Sequence, residues 1–554
     1  MARKGIDPIT LEVLWSRLIA IAEESAMEII RTAFSTTVRE THMFAVVLLD
    51  TKGYAISHAG SAMPSFVGSM PLTIRQLLKT FPAESFQPDD LVLTNDPWLG
   101  TGHLQDVTSL APIFYKKNLV GFIGITSHAT DMGGKLRSPE VRDIYEEGIQ
   151  LPPCKYMAEG QVNPDILRII RANVRVPEQV EGDLISHMAG GKLAAQRVQA
   201  MLEEYKLRDL DSVATTIFQR SENAMREAIK KVPDGEYRFH VNTDGYDEPL
   251  IIRVEVRVRG SSIVVDYTGT SPQVDRGLNA VLNYVFAYSA YSLKCLFCPS
   301  VPNNEGNFRP VTVTAPEGSI LNPRYPAPVN GRSMVGQFIP SVIFGALCKA
   351  VPEMVQAASG SPVWAINAAG VDKQARRFAG NFFLNGGQGA SKNHDGISCL
   401  SFPSNTSNTP IEILEHIVPL LVERKVIIRD SGGSGEFVGG NGQQVIVKSL
   451  SNVQILLSFL SERTRHPSYG LFGGKNGRVG KVTLNGRPIN PKRQWVMSPG
   501  DRLVLEVPSG GGYGDPKDRN RDAIERDLRE GLLSIQKARA EYSFDGDYSG
   551  SETN

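Results

Sequence analysis

Apolar residues recur at helical spacing over 9–33, at Leu11, Leu14, Leu18, Ile21, Ala22 and Ile29, behind an Asp7-Pro8 pair suited to a cap and first turn. A long amphipathic helix is predicted there. Beyond the polar hinge Arg39-Glu40-Thr41-His42, the runs 44–49 and 54–57 read as strands around an Asp50-Thr51-Lys52-Gly53 turn, and a helix follows over 71–80. After a short strand within 86–93, two apolar runs, 107–115 and 119–126, flank Lys116-Lys117-Asn118. They are the arms of an expected hairpin. Helices are predicted over 165–174, 180–206 and 211–232, the second with Gly190-Gly191 in its middle, where continuity is in question.

At Pro233-Asp234-Gly235 the texture changes to alternation of apolar and polar residues: Tyr237, Phe239, Val241, then Ile252, Val254, Val256, Val258, then Ile263, Val265, Tyr267. Turns at Asp244-Gly245 and Gly260-Ser261 make this an antiparallel meander. A helix over 279–297 is expected to pack on it, and 333–349 is a further helical run. From 408 onward the chain reads as strand and turn, with strands within 426–429, 445–447, 453–459 and 503–507. Helices over 520–531 and 534–540 and a disordered end over 545–554 follow. The fold class is α+β and multi-domain, a helical N-terminal module joined to antiparallel β-sheet modules. The expected divisions are 1–232 (α+β, with a metal site), 233–410 (α+β around an antiparallel sheet), 411–516 (β-rich) and 517–554 (helical tail).

Length agrees with several domains or one multilayer body, since single cores rarely grow past ~300 residues. Lys plus Arg number 59 and Asp plus Glu number 59, a balance that argues against a general nucleic-acid binder. The basic start Met1-Ala2-Arg3-Lys4-Gly5 meets Ile6-Asp7-Pro8 instead of an apolar core, so no signal peptide is expected. No run of about 18 apolar residues suggests a membrane span. The five cysteines are scattered and odd in number, which fits a reducing, cytoplasmic location. Cys295 and Cys298 have C-x-x-C spacing, but inside an apolar helical run without a second pair; small buried hydrophobes are the better reading.

Candidate chemistry concentrates between Thr94 and Asp131. There Asn95-Asp96-Pro97 and Gly102-His103-Leu104-Gln105-Asp106 precede the hairpin, and Ser127-His128-Ala129-Thr130-Asp131 follows it. His103 and Asp106 are three apart, and the hairpin returns His128 beside them. Two imidazoles and a carboxylate are a common ligand set for zinc, iron or manganese with positions left open. Asp131 and Asp96 are then extra ligands, acceptors that fix the imidazole tautomers, or a base for a water. Polar loop residues holding backbone turns are the plainer alternative. His42 or His58 could approach from another element, although surface or loop positions account for them equally simply, and His187 lies beside an apolar stripe as a structural residue.

A second glycine-rich passage, Gly386-Gly387-Gln388-Gly389-Ala390, precedes His394-Asp395-Gly396. It is neither a dinucleotide fingerprint nor a P-loop. Its glycines either bring backbone N–H groups close to an anion or serve tight turns, with turns slightly favoured. His394 and Asp395 are the residues there most worth testing.

Taken in order, Thr94-Asn95-Asp96-Pro97, Gly102-His103-Leu104-Gln105-Asp106, Ser127-His128-Ala129-Thr130-Asp131-Met132-Gly133-Gly134, Asp430-Ser431-Gly432-Gly433 and Gly510-Gly511-Gly512-Tyr513-Gly514-Asp515-Pro516 resemble the hydantoinase B/oxoprolinase (HyuB-type) family over nearly the whole chain. Relatives of that family include the corresponding half of 5-oxoprolinase and the alpha subunit of acetone carboxylase. The resemblance implies one divalent metal ion (Zn, Mn or Fe) on His103, Asp106 and His128, with Asp131 and Asp96 in catalytic roles. It also implies an ATP-binding HyuA-type partner that uses ATP and Mg, in a heterotetramer or larger heteromer. The implied reaction is hydrolysis of a cyclic amide: hydantoin, N-methylhydantoin, 5-oxoproline or another lactam. A ketone carboxylase subunit and a noncatalytic partner of the ATP-binding subunit are the rivals. Two positions depart from the family pattern: Met43 stands where a carboxylate is usual, and Val438 where an arginine is common.

Overall fold

The computed structural model describes residues 6–371 and 376–546. The signal-peptide reading at 1–5 and most of the expected disordered end, from 547, lie outside the described residues. A mixed α+β architecture is observed, with a helical N-terminal region and four sheets.

The first sheet carries the site. Its strands are β1 (Phe44–Leu49), β2 (Ala55–His58), β3 (Leu91–Thr94), β4 (Asp106–Tyr115), β5 (Asn118–His128), β6 (Cys154–Ala158) and β7 (Gln161–Val162), in the order β2-β1-β5-β4-β3-β6-β7 and antiparallel throughout. The β4–β5 hairpin closes on Lys116 and Lys117, both with positive φ (49° and 68°), the backbone that a two-residue turn between twisted strands demands. Helix Pro8–Thr32 lies against helix Pro177–Glu204, which runs unbroken through Gly190-Gly191. Its continuity has a cause: a Cβ on Gly190 would come 2.7 Å from Ile29, and the Gly190 carbonyl accepts from Ser25 Oγ at 2.9 Å. Gly190 thus brings the two helices together, while Gly191 faces Ala111 and Ile123 of the sheet.

Strands Gly235–Thr243, Leu250–Arg259 and Ser262–Asp266 form the expected meander, extended by Val311–Thr314 in parallel. Helix Leu282–Phe297 contributes buried Tyr284, Val285, Tyr288 and Leu293 to the largest apolar core. That core runs continuously from Met43 and Val47 through Val254 to Leu460 and Tyr513. The third sheet pairs Trp364–Val371 and Arg377–Leu384 with Ile455–Leu460 and Trp495–Met497, so the division expected at 410/411 falls between strands that share hydrogen bonds.

Three of the expected elements take a different form. The helix predicted over 71–80 starts at Pro64, whose fixed φ suits a first turn, and buries Phe66, Val67, Met70, Ile74 and Leu77 on one face with Pro71 inside. The run 333–349 is two short helices, Ser333–Gly336 and Ile339–Leu347, with Pro340 opening the second. Residues Ile411–Ile417, expected as strand and turn, form a helix that buries Leu414.

The glycine-rich passages interleave. Gly440 N–H donates to Gln388 O at 2.8 Å, Gly510 N–H to Gly440 O at 2.9 Å and Gly512 N–H to Lys475 O at 2.9 Å. A Cβ on Gly387 would sit 1.7 Å from Gly440 O, and one on Gly510 1.9 Å from Gln388 O. None of Gly386, Gly387, Gly389 or Gly510 has a positive φ. Neither expectation for 386–390 describes this: the glycines admit backbone against backbone, and neighbouring carbonyls use many of the N–H groups.

Candidate metal centre

Pleating decides which side chains of the hairpin face the site. Asp106 pairs directly with His128 and Thr108 with Thr126, so these four share one face, while Ser109 and Ser127 lie on the other. His103 arrives from the loop before β4. That loop is held at Asn95, whose side chain donates to Leu104 O (2.7 Å) and Ile149 O (2.9 Å) and accepts from Leu151 N–H (2.6 Å). Gly102 has φ +100° and packs so tightly on Arg332 that a Cβ would come 2.8 Å from its Cδ.

The result is a buried convergence. His103 Nε2 is 2.7 Å and His128 Nδ1 2.8 Å from Asp106 Oδ1, and among the described residues these three form a cluster whose potential ligand atoms all lie within 4.8 Å of one another. The two imidazoles stack with centroids 5.0 Å apart. Asp106 Oδ2 is taken by the Arg332 guanidinium and the Thr101 hydroxyl. His103 Nδ1 faces Asn330 O at 3.4 Å, so the Nδ1–H tautomer donates there and leaves Nε2 with a lone pair. Two acceptors, Nε2 and Oδ1, then face each other; Oδ1 accepts from His128 Nδ1–H at 2.8 Å, whereas Nε2 has no aligned hydrogen-bond donor. A cation between them removes the conflict, so the donor set fits a divalent metal ion.

Electrostatics hold the cluster ready. Burial, reinforced by Arg332, keeps His103 neutral by pushing its pKa well down, and burial lowers His128 to about 4. For Asp106, burial opposes ionisation, but the Arg332 guanidinium and the His128 Nδ1–H outweigh it and hold the carboxylate well below its ordinary range. Arg137 is also buried; its Nη1 lies 3.4 Å from His128 Nε2 and its Nε donates to Asn330 O at 3.4 Å. Glu147 accepts from the Val329 and Asn330 N–H groups, and burial raises it to about 8. The Asn330 side-chain amide is fully buried without a hydrogen-bond partner. Arg137, Arg332, Glu147 and Asn330 carry no motif or periodic signal in the sequence.

Asp131 and Asp96 lie outside this cluster. Asp131 is engaged by the backbone N–H and guanidinium of Arg175, which also reaches Gly134 O. Asp96 accepts from Trp98 N–H (2.9 Å), Leu99 N–H (3.3 Å) and Gln150 Nε2 (3.0 Å). Met43 is buried and lines a small enclosed cavity with His103, Arg137, Arg332, Met63 and Phe383. His58 Nδ1 donates to Ala59 O at 2.7 Å, and His187 sits between two serines. Asp395 pairs with Arg519 at 2.8 Å and accepts from Val438 N–H at 2.7 Å, so it anchors the C-terminal helices. Cys295 and Cys298 are free thiols whose pKa values burial raises, in keeping with a packing role. No described helix is long and apolar enough to cross a membrane.

The chain belongs to the hydantoinase B/oxoprolinase family, whose profile matches residues 7–516. The B component of a putative D-/L-hydantoinase from Pseudomonas sp. (strain NS671) is 30% identical over 578 residues, covering 97% of this chain and 95% of that protein. ATP-dependent caprolactamase from Pseudomonas jessenii has a crystal structure similar to this one with TM-score 0.90 and 27% identity, over 99% of this chain and 98% of that chain. A nucleotide-free acetone carboxylase structure shares the fold at TM-score 0.85 and 19% identity, over 97% of this chain and 79% of that one.

Proposed function

We propose that this chain is the substrate-handling subunit of an ATP-dependent amidohydrolase that opens a cyclic amide, such as a hydantoin, 5-oxoproline or another lactam, after a HyuA-type partner has activated it. Family membership and the names of its hydantoinase and caprolactamase relatives support the reaction class. The observation that carries the site is the buried His103 Nε2, which has no hydrogen-bond donor and faces Asp106 Oδ1 at 2.7 Å.

In this reading His103, Asp106 and His128 hold one divalent ion, with zinc, manganese and iron all compatible with the donors. Bound there, the ion supplies a Lewis acid and a source of hydroxide at neutral pH. The chain's own residues do the rest. Arg332 and Thr101 fix the carboxylate's orientation, and the Asn330 carbonyl fixes the His103 tautomer. Arg137 and Arg332 place two guanidiniums against the cavity, a positive charge suited to an anionic substrate oxygen, and since the cavity holds only about 20 Å³ this role requires it to open. Asp96 holds the 96–99 turn and so positions the loop that carries His103. Asp131 accepts the proton from the attacking water in this proposal, which requires its pairing with Arg175 to loosen when substrate binds.

The test is elemental analysis of the purified chain and of His103→Ala, with ATP-dependent turnover of a hydantoin and lactam panel in the presence of the partner. Near-stoichiometric metal that is lost with His103, together with ATP-coupled ring opening, is the expected result. Metal and turnover both intact in His103→Ala would sink the site. ATP use that instead depends on bicarbonate and a ketone would replace the hydrolase by a carboxylase, and retained partner binding without metal or turnover would leave a structural subunit.

A further inference from the structure

Away from the metal-ligand cluster lies a second, larger cleft of about 720 Å³, the size at which small-molecule sites are built. Its walls are mainly apolar, with Val67 from helix Pro64–Thr80, Ala287 from helix Leu282–Phe297, and Val301, Phe308 and Phe402 from the segments around them. The lining contains one lysine, Lys294, and no aspartate or glutamate among the described residues. The half-buried Lys294 ammonium donates to Pro299 O at 3.1 Å and makes no ion pair with a described residue. The nearby Glu23 is already committed to the Gly60 N–H. His58 is neutral, lowered chiefly by burial, and donates Nδ1–H to Ala59 O. A single cation on an apolar wall, with no ion pair to the neighbouring Glu23, is complementary to an amphipathic anion.

The cleft backs directly onto the site. Ala62 and Pro64 line it, while Met63 between them lines the cavity beside His103; Asn405 lines it, while Thr406 lines that same cavity. Asn405 Nδ2 donates to Ala62 O at 3.2 Å, tying the two partitions together. A ligand in the cleft therefore rests on the chain segments that wall the metal-ligand cluster.

We propose that this cleft is a second small-molecule site, for a carboxylate with an apolar body, whose anionic end pairs with Lys294 and whose body packs against Val67, Ala287 and Phe402. The proposal stands independently of the metal-centred reading. Lys294 lies one turn from its helix end, so service to the Pro299 carbonyl alone is the competing account.

Isothermal titration of the full chain with 2-naphthoate, and with uncharged 2-naphthamide as control, tests it. The expected result is saturable naphthoate binding, weaker by about tenfold or more for the amide and for Lys294→Met, as befits the loss of one charge-assisted contact. Ser300→Trp, at an exposed position on the cleft wall, should abolish binding without changing the melting temperature, and covers the case in which Lys294→Met fails to fold. His103→Ala should bind as wild type. Absent binding, equal binding of acid and amide, or unchanged binding in Lys294→Met or Ser300→Trp would overturn the proposal, as would binding lost in His103→Ala, which would place the probe at the metal-ligand cluster.

Discussion

His187 and the His103–His128 pair are buried on opposite faces of the β4–β5 hairpin, yet their polar atoms are treated differently. His187 bonds to Ser109 Oγ at 2.9 Å through Nδ1 and to Ser127 Oγ at 2.7 Å through Nε2. Each ring nitrogen has its own hydroxyl, and a hydroxyl serves either tautomer. His103 and His128 instead crowd one carboxylate oxygen, and Nε2 of His103 lacks an aligned donor. Burial alone therefore does not mark a ligand. What sets the pair apart is a buried lone pair, that of His103 Nε2, that faces a carboxylate oxygen with no donor of its own.

The most severe way to break the contrast is His103→Ala, which should remove the metal and lower turnover by about 1,000-fold, the scale of losing a Lewis acid worth several kcal/mol. His187→Leu assayed in parallel should keep the metal. Next comes Arg332→Met: Arg332 and Asp106 have side chains 4% and 0% exposed, so the variant strands a buried carboxylate. A loss of about 3–5 kcal/mol is expected from denaturant unfolding of the metal-free protein. An unchanged midpoint would show that Asp106 does not depend on Arg332 for its charge.

Gly510→Ala extends the comparison to the glycine layer, where the obstacle is steric. Its Cβ would meet Gln388 O at 1.9 Å, so a loss of at least about 1–3 kcal/mol is expected, with metal content retained if the layer and the site are independent. His187→Leu itself should cost about 1–3 kcal/mol by leaving Ser109 and Ser127 without their buried partner. The last contrast is in pH. Burial holds His187 at about 3, below the ordinary 6.5, so the unfolded chain binds a proton that the folded chain refuses. Its contribution is full above about pH 6.5 and is lost as pH falls toward 3. The stability difference between wild type and His187→Leu should shrink over that interval; a difference that stays flat would mean the imidazole is protonated in the fold.

Much of the cluster was legible because its three residues are local in sequence or one hairpin apart. The three-residue spacing of His103 and Asp106 and the alternation flanking Lys116-Lys117 are enough to bring His128 opposite Asp106. The same reasoning could not reach Arg332 and Asn330, more than two hundred positions along the chain, because no periodic signal ties them to His103. Nor could it place Asp131, since the pairing that occupies it comes from Arg175. Gly190-Gly191 and Gly386-Gly387 show the same limit. Glycine advertises permissiveness, but whether it serves a turn, an anion or another backbone depends on what arrives beside it.

Local sequence was enough for the α+β class, most helices and strands, the family and the convergence of His103, Asp106 and His128, because periodicity and motif order can be read from short stretches of chain. Long-range packing alone settled which polar atoms are satisfied and which are left facing one another, and that Met43 lines the cavity beside His103. It also joined Trp364–Val371 to Ile455–Leu460 in one sheet. Burial and hydrogen-bond satisfaction depend on groups brought together from distant positions, and no single stretch of sequence carries that information.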